Sequence, residues 1–557
     1  MTFRFSRQGL TPREQVLERA FEILPGATSW TVLVGMVGLA FWNPLLAAMV
    51  VIAFDLYWLL RLFYMTMFLV LSSMRLSIEA PTDWMARVRE VQQSDHNLPT
   101  PVPTAAQWDL KSRCSLWMYR RELRAIRRQQ LSPPPADAIH HVVIFPIAKE
   151  RREVVEPGIE SLIHQTFPPA RVLVILAVEE RADPEVKVDA AQLQQGYRTR
   201  FLDLLLVTHP DRIPGEARVK GANATWAAKA AAVYLQDRGI PFEHTLISCF
   251  DADTTVSPQY LACLTYRFMA CSERTRASFQ PIPVYHNNIW EVPAFARILD
   301  IGSSFFQLIE ATHPDRLVTF SSHSMSFQAL IDVGYWPVDL ISDDSAIFWK
   351  AFLHYDGHYR VVPLYITVSM DVAAAETWRK TIVNVYKQKR RWAWGVENFP
   401  IVMRGFLRDE KIPLFTKIRH GFKLFEGHVA WATWAFLLTI IGWIPALLAG
   451  REFPDSVVYY SAPRITATIF HLSSVVLLTT VVLSYCLLPK ERVTQPFLKR
   501  IGLALEWLLV PLVSLLLAAL PALDAQTRLM FGRYLEFWVT EKPRASDGHC
   551  LANEIRV

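Results

Sequence analysis

Charge is sparse in two long stretches of this 557-residue chain, at roughly 26–72 and 426–522. Their length excludes a wholly soluble protein, because about 20 mostly apolar residues suffice to cross a bilayer. Cysteine is scarce as well. Its six residues (Cys114, Cys249, Cys263, Cys271, Cys486, Cys550) have neither metal-ligand spacing nor a framework pattern, which excludes a zinc or disulfide scaffold and predicts reduced thiols. No nucleic-acid motif and no clustered basic stripe occur, so a nucleic-acid binder is excluded. The net charge of +6 is modest and fits anionic lipid headgroups and a phosphate-rich substrate. No small-residue cleavage site follows the first apolar run. The N-terminal region therefore reads as an anchor rather than a removable signal peptide.

What is there instead is apolar mass: 52% hydrophobic residues, 18 tryptophans and a mean hydropathy of +0.18. Transmembrane candidates lie at about 26–42, 44–72, 426–449, 465–488 and 501–522. The first two are joined by Asn43-Pro44, a tight break. Arg4, Arg7, Arg13 and Arg19 precede the first segment, beside Glu14, Glu18 and Glu22. A basic domain follows the second, so the N-terminus and the middle domain are expected in the cytoplasm of an inner-membrane, multi-pass protein. The loop at 489–500, with Lys490, Arg492, Lys499 and Arg500, is expected on the same side. Glu506, Pro511 and Pro521 interrupt 501–522, which reads as an interfacial or re-entrant hairpin. Asp55 and Arg61 fall inside the second apolar segment. Arg61 is expected to reach the headgroups. Asp55 is a candidate for a polar path.

The order of composition gives a cytoplasmic N-terminus at 1–25, two membrane helices at 26–72, and a linker with an amphipathic helix at 73–139. A catalytic domain at 140–370 and interfacial helices at 371–425 follow. Two to three membrane segments occupy 426–522, and a tail runs over 523–557. Within the domain, His141–Pro146, Val172–Val178, Phe201–Val207 and His244–Phe250 read as buried strands separated by helices. This predicts an α/β domain with a mostly parallel sheet and helices on both faces, inserted between transmembrane helices. Ligands in such sheets bind at the carboxyl ends of the strands. Glu179-Glu180 and Asp251-Ala252-Asp253 lie there.

Asp-x-Asp at a strand end suits a hard divalent cation that also bridges two phosphate oxygens. Taken alone it is weak, since many turns contain it. Asp343-Asp344 offers a carboxylate that takes a proton from an attacking hydroxyl. The same stretch also suits a helix N-cap at Ser342 or Asp343, and both roles are compatible. Gln388, Arg391 and Trp392 share one helix face. Arg391 suits diphosphate oxygens and Trp392 a sugar ring. An interfacial amphipathic helix explains the same Trp and Lys pattern. His323 reads equally as a donor or acceptor contact and as a core histidine.

Together these residues resemble the membrane-embedded family-2 glycosyltransferases, the group with cellulose, chitin and hyaluronan synthases. The resemblance runs from about 140 to 542. It rests on the first strand with Pro146, Glu179/Glu180, Lys220-Gly-Ala-Asn223, Asp251-Ala-Asp253, Ser342-Asp343-Asp344 and Gln388-x-x-Arg391-Trp392. It implies inverting transfer from a UDP-sugar, with Asp344 as base and Asp251 and Asp253 on Mg²⁺ or Mn²⁺. It implies Glu150, Glu179, Glu180, Lys220, Asp251, Gln388 and Arg391 on the donor. Trp392, Asp343 and His323 are implied on the acceptor, a growing glycan or a lipid. Phe537, Val539, Thr540 and Lys542 look like a gating loop that closes over the donor, and a polar tail explains them too. If 501–522 crossed the bilayer, that tail would be expected on the far side. Ala148-Lys149-Glu150 stands where the family often has Tyr-Asn-Glu, and Ser342-Asp343 replaces Thr-Glu. Processive synthesis with translocation, aided by accessory export proteins, is the leading expectation. The alternatives are transfer of one sugar to a lipid or short saccharide, and a transporter or scaffold with an inactive transferase domain.

Overall fold

The computed structural model describes residues 3–92, 110–129, 131–448, 468, 478–488, 497–536 and 538. Phe537, Val539, Thr540 and Lys542 lie outside the described residues, as do 489–496 and most of 465–477.

At the centre is an eight-stranded sheet in the order β3-β2-β1-β4-β7-β6-β8-β5. Its strands are β1 (His140–Ile147), β2 (Val172–Glu179), β3 (Asp203–His209), β4 (Thr245–Cys249), β5 (Thr255–Val256), β6 (Ala277–Val284), β7 (Ser324–Ser326) and β8 (Arg360–Ser369). β3, β2, β1 and β4 run parallel to one another, as do β6 and β8. β7 joins the halves by antiparallel pairing to both β4 and β6. The period-2 alternation of strands divides two cores cleanly. Val143, Phe145, Val174 and Leu176 face one core. Val142, Ile144, Leu173 and Ile175 face the other. All are fully or almost fully buried, and each contributes about 1.5–3 kcal/mol of burial. The helices Arg152–Ile163, Pro184–Tyr197 and Tyr260–Ala270 cover the first face. Lys220–Asp237, Asp343–His354 and Asn398–Arg408 cover the second. The mostly parallel α/β sheet is therefore present.

The second half of the sheet did not stand out in the sequence. β6 carries Pro281 and Pro283, and β8 carries Pro363, residues that argue against interior strands. The sheet accommodates Pro281 with a register shift between Gln280 and Ile282.

Among the described residues, three helices are long and apolar enough to cross a membrane: Pro12–Trp42, Pro44–Glu79 and Ile501–Met530. A fourth candidate is Leu414–Thr439 with Ile441–Leu448, bent by 44°. Pro12–Trp42 opens with a capping box, in which Thr11 and Glu14 satisfy each other's backbone N–H. Residues 501–522 do not form a hairpin. They belong to the single helical run Ile501–Met530, because Pro511 and Pro521 both sit in the first turn of a helical segment, where a missing N–H costs little. A π-helical stretch at Leu515–Ala519 adjusts the register between them. Gly26 lets this run approach the first helix, since a Cβ there would lie 2.9 Å from the carbonyl oxygen of Gln526. Arg61 does not simply reach headgroups either: its guanidinium donates to Glu426 and Tyr57. The five described cysteines are free thiols.

Candidate active site

The parallel strands end on one side of the sheet, and their carboxyl ends carry the acids. Order reverses around β1, so the crevice opens beside β1 and β4. Past β2 and β3 lies a cleft of about 210 Å³, lined by Glu179, Glu180, Arg181, His209, Asp211 and the 213–219 loop. Glu179 pairs with Arg181. Glu180 accepts from the backbone N–H of Asp211 at 2.9 Å, and His209 lies 2.9 Å from Glu216. Glu150 uses one oxygen to accept from the N–H groups of Ala148 and Lys149 at 2.8 and 3.0 Å. It thereby closes the turn after β1 and is not part of the cleft lining.

Lys220 begins the helix Lys220–Asp237 and points its ammonium between two carboxylates. It donates to Asp251 at 2.7 Å and to Asp344 at 3.1 Å. Burial works against its charge, yet Asp251 and Asp344 hold its proton well above the ordinary lysine range. The other oxygen of Asp251 accepts from the Ser321 hydroxyl at 2.5 Å. Asp253 is fully buried, and one of its oxygens accepts from the Asp371 N–H at 2.7 Å. No group of three or more His, Cys, Asp or Glu residues that could hold a metal occurs among the described residues. Two carboxylates at one strand end still fit Mg²⁺ or Mn²⁺, which completes its shell with water and substrate phosphates rather than a protein cage.

Asp343 and Asp344 open the helix Asp343–His354. Ser342 stands at its N-cap but makes no side-chain cap hydrogen bond, so the expected capping role of Ser342 or Asp343 is not played. Asp343 is 3% exposed. Burial, reinforced by Asp344, pushes its carboxyl well above the usual carboxylate range. Asp344 remains partly open, at 27% side-chain exposure. His323 is fully buried with Nδ1 on the Phe320 carbonyl at 3.1 Å and 3.8 Å from Asp344. Burial lowers its pKa to about 4 and leaves the ring neutral. The preceding Ser322 has φ +60°, a left-handed conformation that is strained for a residue with a Cβ. Its hydroxyl accepts from the Asp251 N–H at 3.2 Å and bonds Thr254 at 2.8 Å, which holds it there.

The helix Trp378–Ala393 carries Gln388, Arg391 and Trp392. Gln388 is buried. Trp392 is half-buried, with ring centroids 5.8 Å from Phe320 and 6.3 Å from Tyr285. The Lys389 ammonium lies 3.6 Å from the centroid of the Trp392 ring and donates to Asp300 at 2.6 Å. Arg390 donates to Asp524 at 2.9 Å and so ties this helix to Ile501–Met530. The chain after Met530 starts here too. The Tyr534 hydroxyl donates to Glu22 at 2.8 Å, and Lys387 lies 5.1 Å from the Trp538 ring. Tyr534 and Trp538, which follow the long helix, thus lie against the first helix and the motif helix.

Lys220, Asp251, Asp344 and His323 thus meet, with Ser321 and Phe320 linking them to Trp392. Sequence reading missed Ser321 as a direct Asp251 partner, and missed Glu397 altogether. Glu397 accepts from both the N–H and O–H of Ser342 at 2.8 Å each and from the Trp394 indole at 2.9 Å. Its only sequence signal is an acid shortly after the Gln-x-x-Arg-Trp block.

A mostly parallel sheet flanked by helices, with acids at its strand ends, is a GT-A-like architecture, here with helices long and apolar enough to cross a membrane on both sides of it. Residues 246–521 match the family described as Glycosyl transferase family group 2. It is 33% identical over 93 residues to the poly-beta-1,6-N-acetyl-D-glucosamine synthase of Staphylococcus aureus, covering 16% of this chain and 19% of that protein. To the synthase of the same description from Staphylococcus epidermidis it is 28% identical over 152 residues, covering 26% and 31%. The chain thus spans under a third of the length of these curated relatives. Among solved structures, the Pyrobaculum calidifontis mannosyltransferase PcManGT in complex with GDP-Man and Mn²⁺ aligns at TM-score 0.38 and 14% identity, covering 71% of this chain and 94% of that one. S. aureus TarS 1-349 in complex with UDP aligns at 0.35 and 12%, covering 72% and 94%. TM-scores this low carry no argument about the site.

Proposed function

We propose that this chain is an inverting glycosyltransferase that takes a UDP-sugar on the cytoplasmic side of an inner membrane and elongates a β-linked polysaccharide. The observation that carries the reading is the Asp251–Lys220–Asp344 cluster: a strand-end carboxylate for the donor, a lysine, and a partly open carboxylate for the acceptor, all in contact. The acceptor hydroxyl attacks the anomeric carbon of the donor. Its oxygen–carbon bond forms as the bond from that carbon to the diphosphate breaks. Asp344 takes the hydroxyl proton, a role worth about 10²–10⁴-fold. Lys220 and Arg391 stabilise the departing diphosphate. A divalent cation held by Asp251 and Asp253 would neutralise further charge on the leaving group. Glu179 and Glu180 border the cleft that would take the nucleoside, while Gln388 and Glu150 are assigned to the donor by the resemblance. Trp392 offers the terminal acceptor sugar a platform. Asp343 and His323, both buried, support Asp344 rather than meet the saccharide.

The elongating role is supported by the partial likeness to polysaccharide synthases and by the position of Trp392 between the catalytic cluster and the apolar helices. The gating-loop role of Phe537, Val539, Thr540 and Lys542 rests on the sequence resemblance, and Trp538, between Phe537 and Val539, lies 5.1 Å from Lys387 of the motif helix. The test is UDP release by purified protein in detergent, with UDP-N-acetylglucosamine first in a panel of UDP-sugars, followed by sizing of the product. Long chains are expected. Adducts of a single sugar would overturn elongation, and no release with any donor would overturn the transferase reading.

A further inference from the structure

We infer that Arg7, acting through the buried carboxylate of Glu397, is a positioning residue for the segment that presents Asp344. This deepens the proposed transferase reading and rests on it for Asp344 as base.

Glu397 is 1% exposed and lies on the short 3₁₀ turn Trp394–Glu397 that follows the motif helix. One carboxylate oxygen takes both donors of Ser342, and the other takes the Trp394 indole N–H. The Arg7 guanidinium lies 3.0 Å from that second oxygen. An N-cap serine ordinarily turns its hydroxyl onto the first turn of its own helix. Ser342 makes no such bond, because its hydroxyl is committed to Glu397. The start of the helix that carries Asp344 is therefore oriented from outside, by a carboxylate whose charge is matched by an arginine from the N-terminal segment.

That segment is firmly docked. Phe5 is 6% exposed in the core that also contains Ile347. The Ser6 hydroxyl donates to Asp339 at 2.6 Å, and Arg404 donates to the Ser6 carbonyl at 2.8 Å and to Glu18 at 2.9 Å. The Gln8 amide donates to the Gly215 carbonyl at 3.1 Å, in the loop that lines the donor cleft. Arg7 also stacks over Tyr534, 4.7 Å from its ring centroid, at the root of the C-terminal tail. One arginine therefore touches the support of the base and the root of the tail. Without it, Glu397 is left with a buried charge that its neutral partners alone must satisfy, and its grip on Ser342 loosens.

The test uses full-length protein in detergent, with Arg7→Ala, Arg7→Lys and Glu397→Gln, and Arg13→Ala as an exposed control. With UDP-N-acetylglucosamine as donor, Arg7→Ala and Glu397→Gln are expected to lower kcat by about 10–100-fold, because a small misplacement of a reacting group has effects of that size. Donor KM stays within about twofold. Arg7→Lys recovers part of the rate, and Arg13→Ala matches the parent. An unchanged kcat in Arg7→Ala, or a loss expressed only in KM, overturns the inference. Should the parent protein release no UDP from this donor, hydrogen exchange over 338–346 still reads the positioning directly. Arg7→Ala and Glu397→Gln should speed exchange at the Ser342 amide while Arg13→Ala does not, and equal exchange in all variants overturns it.

Discussion

The two halves of the sheet present different chemistry to the site. β3, β2, β1 and β4 run parallel and end in acids: Glu179 and Glu180 line a polar cleft, and Asp251 pairs with Lys220. The half made of β7, β6, β8 and β5 is mixed in direction, and its ends lead into Phe320, Tyr285 and, across from them, Trp392. A diphosphate needs fixed charge and backbone dipoles, which converge where parallel strands end. A saccharide needs flat apolar faces, which an irregular half-sheet and a packed amphipathic helix supply. Lys220 and Asp344 stand where the two halves meet.

Replacing a group on the seam should cost most. Asp344→Asn is expected to reduce transfer by about 10²–10⁴-fold while UDP still binds. Persistent UDP release in this variant would remove Asp344 from the chemistry. On the parallel half, chelation of divalent cations should lower the rate by at least about 100-fold, with recovery on adding Mg²⁺ or Mn²⁺. Activity indifferent to EDTA would end the metal role of Asp251 and Asp253.

His323 tests the seam through stability. Burial sets its folded pKa at about 4, below the ordinary 6.5. As pH falls below 6.5 the unfolded chain takes up this proton first. The His323 contribution is therefore present above about pH 6.5 and lost as pH falls toward 4, reaching about 3 kcal/mol in the acid limit. Melting temperatures at pH 7.5 and 4.5 should differ less in His323→Gln than in the parent. An identical pH slope would mean that the ring is not held neutral.

The last two variants separate the halves. Trp392→Ala should slow elongation by about tenfold and leave donor hydrolysis intact. If donor KM moved instead, the aromatic side would not be the acceptor side. Glu179→Gln should raise donor KM by about fivefold with kcat nearly unchanged, and a change in product length alone would contradict a donor role.

The same division explains what the sequence let one read. The four parallel strands are continuous apolar runs, and an acid at the end of such a run is visible without a structure. β6 and β8 contain prolines, and β7 is three residues long. Their existence depends on a register shift and on neighbours distant in sequence, so no local pattern announces them. Ser321 and Glu397 were hidden for the same reason. Their importance lies in meeting Asp251 and Ser342, separations of 70 and 55 residues. The 501–530 run was misread because proline was counted as an interruption, when its place in the first turn of a helical segment makes it harmless.

Gly221 has a consequence for spacing. A Cβ there would sit 2.5 Å from the Pro337 carbonyl oxygen and 2.9 Å from the Asp343 Cβ, so the glycine backbone packs directly on both. Any side chain at 221 would force these surfaces apart, and with them Lys220, beside the glycine, and Asp344, beside Asp343. The spacing of the ammonium and the carboxylate therefore depends on the absence of a single methyl group.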